Sequence, residues 1–209
     1  MANTENFWDK VAEKYSRQPI KDMDAYNKTL ERVRHHLSTE DDVLEIGCGT
    51  GSTALLLADG VKRITASDIS SAMIDIAKEK GCNQQVENVD FVQATPFDAA
   101  LENKSYDAVL AFNVLHLFKD APPAVRRVGA LLKPGGLFIS KTPCLAERSS
   151  MLALMVPVMR VFGKAPSCVK FLSVPEVEAC IANENFEIIE TGSYPAAPAS
   201  RFVVARKKP

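Results

Sequence analysis

The chain has no excess of either charge, no long apolar run, no paired cysteine spacing and little histidine. Each absence excludes a class of protein. Lys and Arg number 25 against 26 Asp and Glu, a net charge of −1, so no broad cationic surface awaits nucleic acid. The longest apolar run, MLALMVPVM at 151–159, is nine residues with a proline inside it, whereas a membrane-spanning helix needs about 20. No transmembrane segment is expected. The cysteines at 48, 82, 144, 168 and 180 form no C-x-x-C pair, and the three histidines at 35, 36 and 116 complete no zinc-ligand spacing. A reduced, cytoplasmic, metal-free protein follows. The opening MANTENFWDKVAEKY is too polar for the core of a signal peptide, and 209 residues suit a single domain, 1–209.

What is present is an alternation of hydrophobic periods. Phe7, Val11 and Tyr15 lie four apart, and Tyr26, Leu30, Val33 and Leu37 recur at three and four, which predicts two helices before residue 40. From 42 onward strand-like and helix-like pieces alternate: VLEIG, a helix after Gly51, RITASD, and SSAMIDIAKEKG with Ser70 as N-cap and Gly81 as stop. VDFVQAT and YDAVLAFN follow as short buried strands. Asp120, Pro122 and Pro123 start a helix, the KPGG turn ends it, and LFISKT makes a fifth strand. An apolar helix over 147–162, kinked near Pro157, and a shorter one over 175–183 precede FEIIETGSY and RFVVARKK, a terminal antiparallel pair around PAAPAS. Seven strands with intervening helices predict an α/β, doubly wound, mostly parallel sheet.

Glycine is sparse, ten in all, yet three fall in five residues: Gly47, Gly49 and Gly51 directly after the first strand. Bare backbone between a strand's C-terminal end and a helix N-terminus lets a ligand approach unpaired amides without Cβ interference. The spacing is G-x-G-x-G; the dinucleotide pattern G-x-G-x-x-G would need glycine where Ser52 stands. Asp68 ends the second strand, where a carboxylate can accept hydrogen bonds from both hydroxyls of a ribose. Ile69 and Met73 follow, apolar and polarizable, suited to sandwich an adenine or simply to pack in the core.

At this point the stretches VLEIGCGTG, ASDISSAMIDIAK, YDAVLAFNVLHLF and LLKPGGLFIS, in that order, resemble the class I S-adenosylmethionine-dependent methyltransferases, in particular the small bacterial type related to quinone-biosynthesis methyltransferases. Jointly they cover roughly 40–142. The resemblance implies a Rossmann-like sheet of order 3-2-1-4-5-7-6 with strand 7 antiparallel, S-adenosylmethionine as methyl donor and S-adenosylhomocysteine as product. It implies that Gly47 and Gly49 lie under the methionyl part and ribose with Cys48 lining the loop, that Asp68 holds the ribose, and that Glu45 organises the loop. Ala94 or Thr95 would sit beside the adenine amino group, Asn113 would face the sulfonium, and Tyr15, from the pattern F-W-x-x-x-A-x-x-Y, would fold over the cofactor. Residues 1–40 would cap that site, and a helical insertion at 146–183 would line the acceptor pocket.

Methyl transfer from a sulfonium is an in-line displacement, so alignment and dryness matter more than a protein nucleophile. An acidic acceptor benefits from a base, and His116 is the only histidine near the predicted mouth; its alternative is a packing or capping role. The segment SSMLALMVPVMRVFGK leaves little polar face. It is expected to bury against the protein, against a small apolar acceptor as a lid, or against a bilayer surface as a peripheral contact. Three function classes are carried forward. A methyltransferase of a small apolar molecule leads, with a non-catalytic S-adenosylmethionine-binding module of the same fold as the alternative. A nicotinamide-dependent dehydrogenase is the third, and it lacks a Tyr-x-x-x-Lys pair. A nucleic-acid methyltransferase is disfavoured, because NVLH stands after strand four in place of an Asn-Pro-Pro-Tyr type motif.

Overall fold

In the computed structural model, which describes residues 2–101, 105–147, 165, 166 and 168–209, two helices, α1 (Ala2–Ser16) and α2 (Met23–His36), precede the sheet. There follow β1 (Asp42–Ile46), α3 (Ser52–Leu57), β2 (Arg63–Asp68), α4 (Ser71–Asn83), β3 (Val89–Gln93) and β4 (Tyr106–Phe112). Then come α5 (Ala121–Leu131), β5 (Leu132–Pro143), α6 (Val174–Ala182), β6 (Phe186–Ser193) and β7 (Ser200–Lys207). Among the described residues, seven strands make one sheet of order β3-β2-β1-β4-β5-β7-β6. β3, β2, β1, β4 and β5 pair in parallel, and β7 runs antiparallel between β5 and β6. This is the expected doubly wound architecture.

The period-2 alternation of the central strands divides the core. Leu44, Ile46, Val109, Phe138 and Val203 share one buried cluster with Val125, Val128 and Leu131 of α5 and Val177 and Ile181 of α6. Their neighbours Val43, Ile64, Leu110, Ile139 and Val204 share the other with Val33 of α2, Ala54 and Leu57 of α3 and Ile74 of α4. Both faces are therefore covered, which is why these strands are buried along nearly their whole length. Ser70 caps α4 as expected, its hydroxyl accepting from the Met73 amide at 3.1 Å.

Two expectations are corrected. Gly81 does not stop α4, which continues to Asn83; a Cβ on Gly81 would stand 3.3 Å from Phe91 and 3.6 Å from Leu55, so close packing, and not termination, asks for glycine there. KPGG is likewise no free turn. β5 begins at Leu132 and runs through it, the register slipping between Tyr106↔Leu132 and Ala108↔Leu137. Gly135 takes φ +74°, and a Cβ on Gly136 would lie 2.9 Å from the Asp107 carbonyl oxygen, the geometry of a strand bulge. The apolar helix expected over 147–162, the core of the 146–183 insertion, falls largely outside the described residues, whereas the shorter one is α6. Strand order reverses at β1, whose chain leads first to β2 and β3 and then across to β4 and β5. The crevice this opens at the strands' C-terminal ends positions the site.

Candidate functional site

The three glycines after β1 all adopt left-handed backbone, with φ of +67°, +53° and +74° at 47, 49 and 51. Their neighbours differ. A Cβ on Gly47 would lie 2.5 Å from Val114 Cγ2, and one on Gly51 would lie 2.6 Å from the Phe91 ring. Those two are glycine because packing forbids more. A Cβ on Gly49 would meet only Tyr15 Cε1, at 3.7 Å, so the bare backbone at 49 faces open space.

Asp68 closes that space on one side. Its Oδ2 accepts from the Gly49 amide and its Oδ1 from the Ser70 amide, each at 2.9 Å. Burial pushes its pKa up, against the pull of the Ser70, Gly49 and Ile69 amides. Glu45 stands behind the loop, 2 % exposed, with Oε2 unpartnered. Burial, then the Asp68 charge, drives its pKa up to about 8, offset in part by the Ala54 amide. Two carboxyl groups therefore share one desolvated corner with no ion-pair partner within reach among the described residues, and burial beside Asp68 keeps Glu45 mainly protonated at pH 7.

Helix α1 supplies the opposite wall. Trp8 and Tyr15, one side chain above the other on the helix, pack edge to face with ring centroids 6.3 Å apart. Burial first, then the charges of Asp68 and Glu45, raises the Tyr15 pKa, so the phenol stays protonated. Together these walls enclose a cavity of about 650 Å³, lined by Tyr15, Gly47, Gly49, Asp68, Ile69, Met73, Ala94, Thr95 and Asn113 of the expected residues. The volume is that of an ordinary small-molecule site. A second depression, about 500 Å³ and more open, lies between α4 and β3 around Lys78 and Phe91, away from the crevice.

Asn113 is held at φ +56° while its amide donates to the Lys141 carbonyl at 2.8 Å. A left-handed non-glycine residue costs strain that the surroundings must hold, and this one turns the chain into the cavity rim directly after β4. Thr95 does not stand alone beside its neighbour Ala94: its amide and hydroxyl both donate to Asp98 Oδ2, at 2.5 and 2.6 Å. An acidic side chain thus reaches the rim from three residues downstream, a turn signal legible in TPFD.

Two expected residues stand elsewhere. Cys48 joins the buried cluster beneath the loop and is not among the cavity's lining residues; burial holds its thiol pKa well above the ordinary value. In a loop that alternates open and packed positions, the residue between two cavity-facing glycines is the one that turns inward. His116 lies in the helical turn Leu115–Leu117, and its neighbour Leu117 lines the cavity while it does not. Burial depresses its pKa to about 4 and its Nδ1 has no hydrogen-bond partner. Its carbonyl accepts from the Lys170 amide at 2.7 Å. Sequence reasoning missed Trp8, Phe97, Phe112 and Phe118, which complete the apolar lining; for Trp8 the signal was its spacing of seven from Tyr15, two turns of one face.

Comparison with known proteins agrees with this fold. Residues 44–140 match the model of the methyltransferase domain family. An uncharacterised methyltransferase of Bacillus subtilis, YcgJ, is 34% identical over 100 residues, covering 48% of this chain and 40% of that protein. A highly reducing polyketide synthase of Pyricularia oryzae is 34% identical over 147 residues, covering 64% of this chain and 5% of the synthase. The matched region is thus less than half the length of either relative. Among solved structures, YcgJ superposes with a TM-score of 0.71 at 20% identity, over 88% of this chain and 99% of that one. A DhpI complex with S-adenosylhomocysteine superposes with a TM-score of 0.77 at 24% identity, over 100% and 97%.

Proposed function

We propose that this chain is a class I S-adenosylmethionine-dependent methyltransferase and that it transfers the methyl group of S-adenosylmethionine to a small, apolar acceptor. The observation that carries the reading is Asp68. Its two oxygens are each oriented by a backbone amide, from Gly49 and Ser70, at the wall of a cavity whose remaining lining is mainly apolar and aromatic. A carboxylate so held accepts from paired ribose hydroxyls, and the open backbone at Gly49 admits the chain between ribose and sulfur.

The residues fit such a ligand. Ile69, Met73, Ala94 and Phe97 offer a slot for a flat base. Trp8 and Tyr15 offer aromatic faces, and the Asp68 carboxylate offers negative charge, to a cationic sulfonium. When bound, the donor supplies an electrophilic methyl carbon and a leaving group that departs as a neutral thioether. The chain's own part is to align and to dry: α1 closes one side, Asn113 and Val114 bound the other, and the acceptor's lone pair is held in line with the breaking bond. For an acceptor that must lose a proton, His116 is the proposed base. Its low pKa leaves it neutral at pH 7, and because it does not itself line the cavity the reading requires the acceptor to approach the Leu115–Leu117 turn.

The apolar character proposed for the acceptor rests on Phe112, Val114, Leu117 and Phe118 along one side of the lining. The charged pair Lys119 and Asp120 lies at the same side and would orient a single polar group. No helix among the described residues is long and apolar enough to cross a membrane.

Calorimetry with S-adenosylhomocysteine and with NADH tests the first half: heat with the former and none with the latter is expected, and the reverse would replace this reading with the dehydrogenase one. Transfer of isotopically labelled methyl to a panel of quinols, phenols, amines and thiols tests the second half. Binding without transfer to any acceptor would favour the non-catalytic module.

A further inference from the structure

Asp9, on the outer turn of α1, reaches across to α4. Its Oδ1 accepts from the Ser70 hydroxyl at 2.6 Å and from the Ala72 amide at 3.2 Å. Ser70 is fully buried, so its hydroxyl proton has no water to turn to and needs a protein acceptor. That same hydroxyl caps α4 by accepting from Met73, while the Ser70 amide donates to Asp68 Oδ1 at 2.9 Å. The other Asp68 oxygen takes the Gly49 amide, also at 2.9 Å. One unbroken path of hydrogen bonds therefore runs from α1 through the α4 cap to the carboxylate and the glycine loop.

Helix α1 has a second tie. Glu5 accepts from the Gln93 side-chain amide of β3 at 3.0 Å, and that amide also donates to the Ile69 carbonyl at 3.2 Å, so this contact reaches the residue after Asp68 without touching Ser70 or the Asp68 carboxylate. The same helix carries Trp8 and Tyr15 into the cavity wall, so the seating of α1 and the shape of the site are one geometrical problem.

We propose that Asp9 is a positioning residue: through Ser70 it fixes the orientation of Asp68 and couples the docking of α1 to occupancy of the nucleoside half of the cavity. This rests on the S-adenosylmethionine reading above and adds to it a residue and a linkage. Coupling of this kind is reciprocal, so ligand must also tighten the docking of α1.

Trp8 is the only tryptophan in the chain and lies in the cavity wall, so its fluorescence reports both events. Titration with S-adenosylhomocysteine is expected to show Asp9→Ala weakened about tenfold, roughly 1.4 kcal/mol. Asp9→Asn, which keeps an acceptor oxygen for both donors, is expected within about threefold of the natural chain, and Glu5→Ala within about twofold. Equal affinity in Asp9→Ala, or an equal loss in Glu5→Ala, overturns the proposal, since helix docking alone would then explain everything. A loss in Asp9→Asn as large as in Asp9→Ala overturns it as well, because charge and not the relay would be at work.

Hydrogen exchange serves if Asp9→Ala fails to fold. In the unaltered chain, ligand is expected to slow exchange in α1 and in residues 70–73 together, and slowing in only one of the two overturns the linkage. If the unaltered chain binds no S-adenosylhomocysteine, the methyl-donor reading fails. The relay is then decided by exchange at 70–73 without ligand, which must be faster in Asp9→Asn or Asp9→Ala than in Glu5→Ala to sustain it.

Discussion

Glu45 in β1 and Glu190 in β6 are both strand glutamates with little solvent contact, yet the fold treats them in opposite ways. Glu190 receives the Arg32 guanidinium through two bonds of 2.7 and 2.6 Å and His36 Nε2 at 2.7 Å. Those hydrogen bonds, Arg32's foremost, bring its pKa down to about 2. Glu45 receives one backbone amide, keeps a buried oxygen unpartnered, and has its pKa driven up to about 8. The first is an ion pair that pins α2 to the outer hairpin of the sheet. The second is a carboxyl that burial next to Asp68 keeps mainly protonated at pH 7, at a cost in stability as the pH rises.

Substitutions can break this contrast, and the largest effect is expected at Glu45. A raised pKa means the ionised form is disfavoured by folding, so the Glu45 contribution is least harmful below the unfolded value of 4.5 and worsens as pH rises toward 8. Glu45→Gln removes that penalty. Stability at pH 7 is expected to rise by on the order of 3 kcal/mol at most, and hardly to change at pH 4; denaturant unfolding at both pH values checks it. A loss of stability at pH 7 would mean the carboxylate is satisfied after all.

Next comes Asp68→Asn. Losing a charged acceptor for two ribose hydroxyls should weaken S-adenosylhomocysteine binding about 30-fold, on the order of 2 kcal/mol, with only a small fall in Tm at pH 7, because the relief of a buried charge offsets the one amide, of Gly49 or Ser70, that Asn leaves without an acceptor. Calorimetry beside a thermal melt separates the two quantities. A drop in Tm with unchanged affinity would move Asp68 to the Glu190 class.

The smallest change is expected at Glu190 itself. A depressed pKa contributes stability above the unfolded value of 4.5 that is lost as pH falls toward 2. Discounted for solvent screening, Glu190→Gln should lower stability by about 1 kcal/mol at pH 7, and the difference should vanish near pH 2. High salt should shrink it further. A difference that persists at pH 2 would point to packing in place of charge.

Much of the site was readable from the chain because its parts are local. Gly47, Gly49 and Gly51 occupy a single βα turn, and Asp68 sits at the tip of the adjacent strand, so parallel pairing of Ile46 with Ser67 brings them together without further information. Phe97, Phe112 and Phe118 were not readable as lining, since nothing in a short window says which aromatic residues converge. Cys48 and His116 illustrate the same limit from the other side. Both occur in the right turns, but whether a loop side chain points at the cavity or into the core depends on what packs beneath it. Gly81 and KPGG were misread because glycine serves both to end an element and to admit a neighbour, and only Phe91 and the Asp107 carbonyl decide between those uses.

Hydrophobic period and turn chemistry, both properties of adjacent residues, determined the order of elements, the doubly wound sheet and the position of the ligand-facing edge. The tertiary structure alone decided which carboxylates are starved of partners, which rings close the cavity, and that Asp9 meets Ser70 across 61 positions. Those outcomes depend on desolvation and on hydrogen-bond distances between segments far apart in the chain, and such quantities exist only once the segments have met.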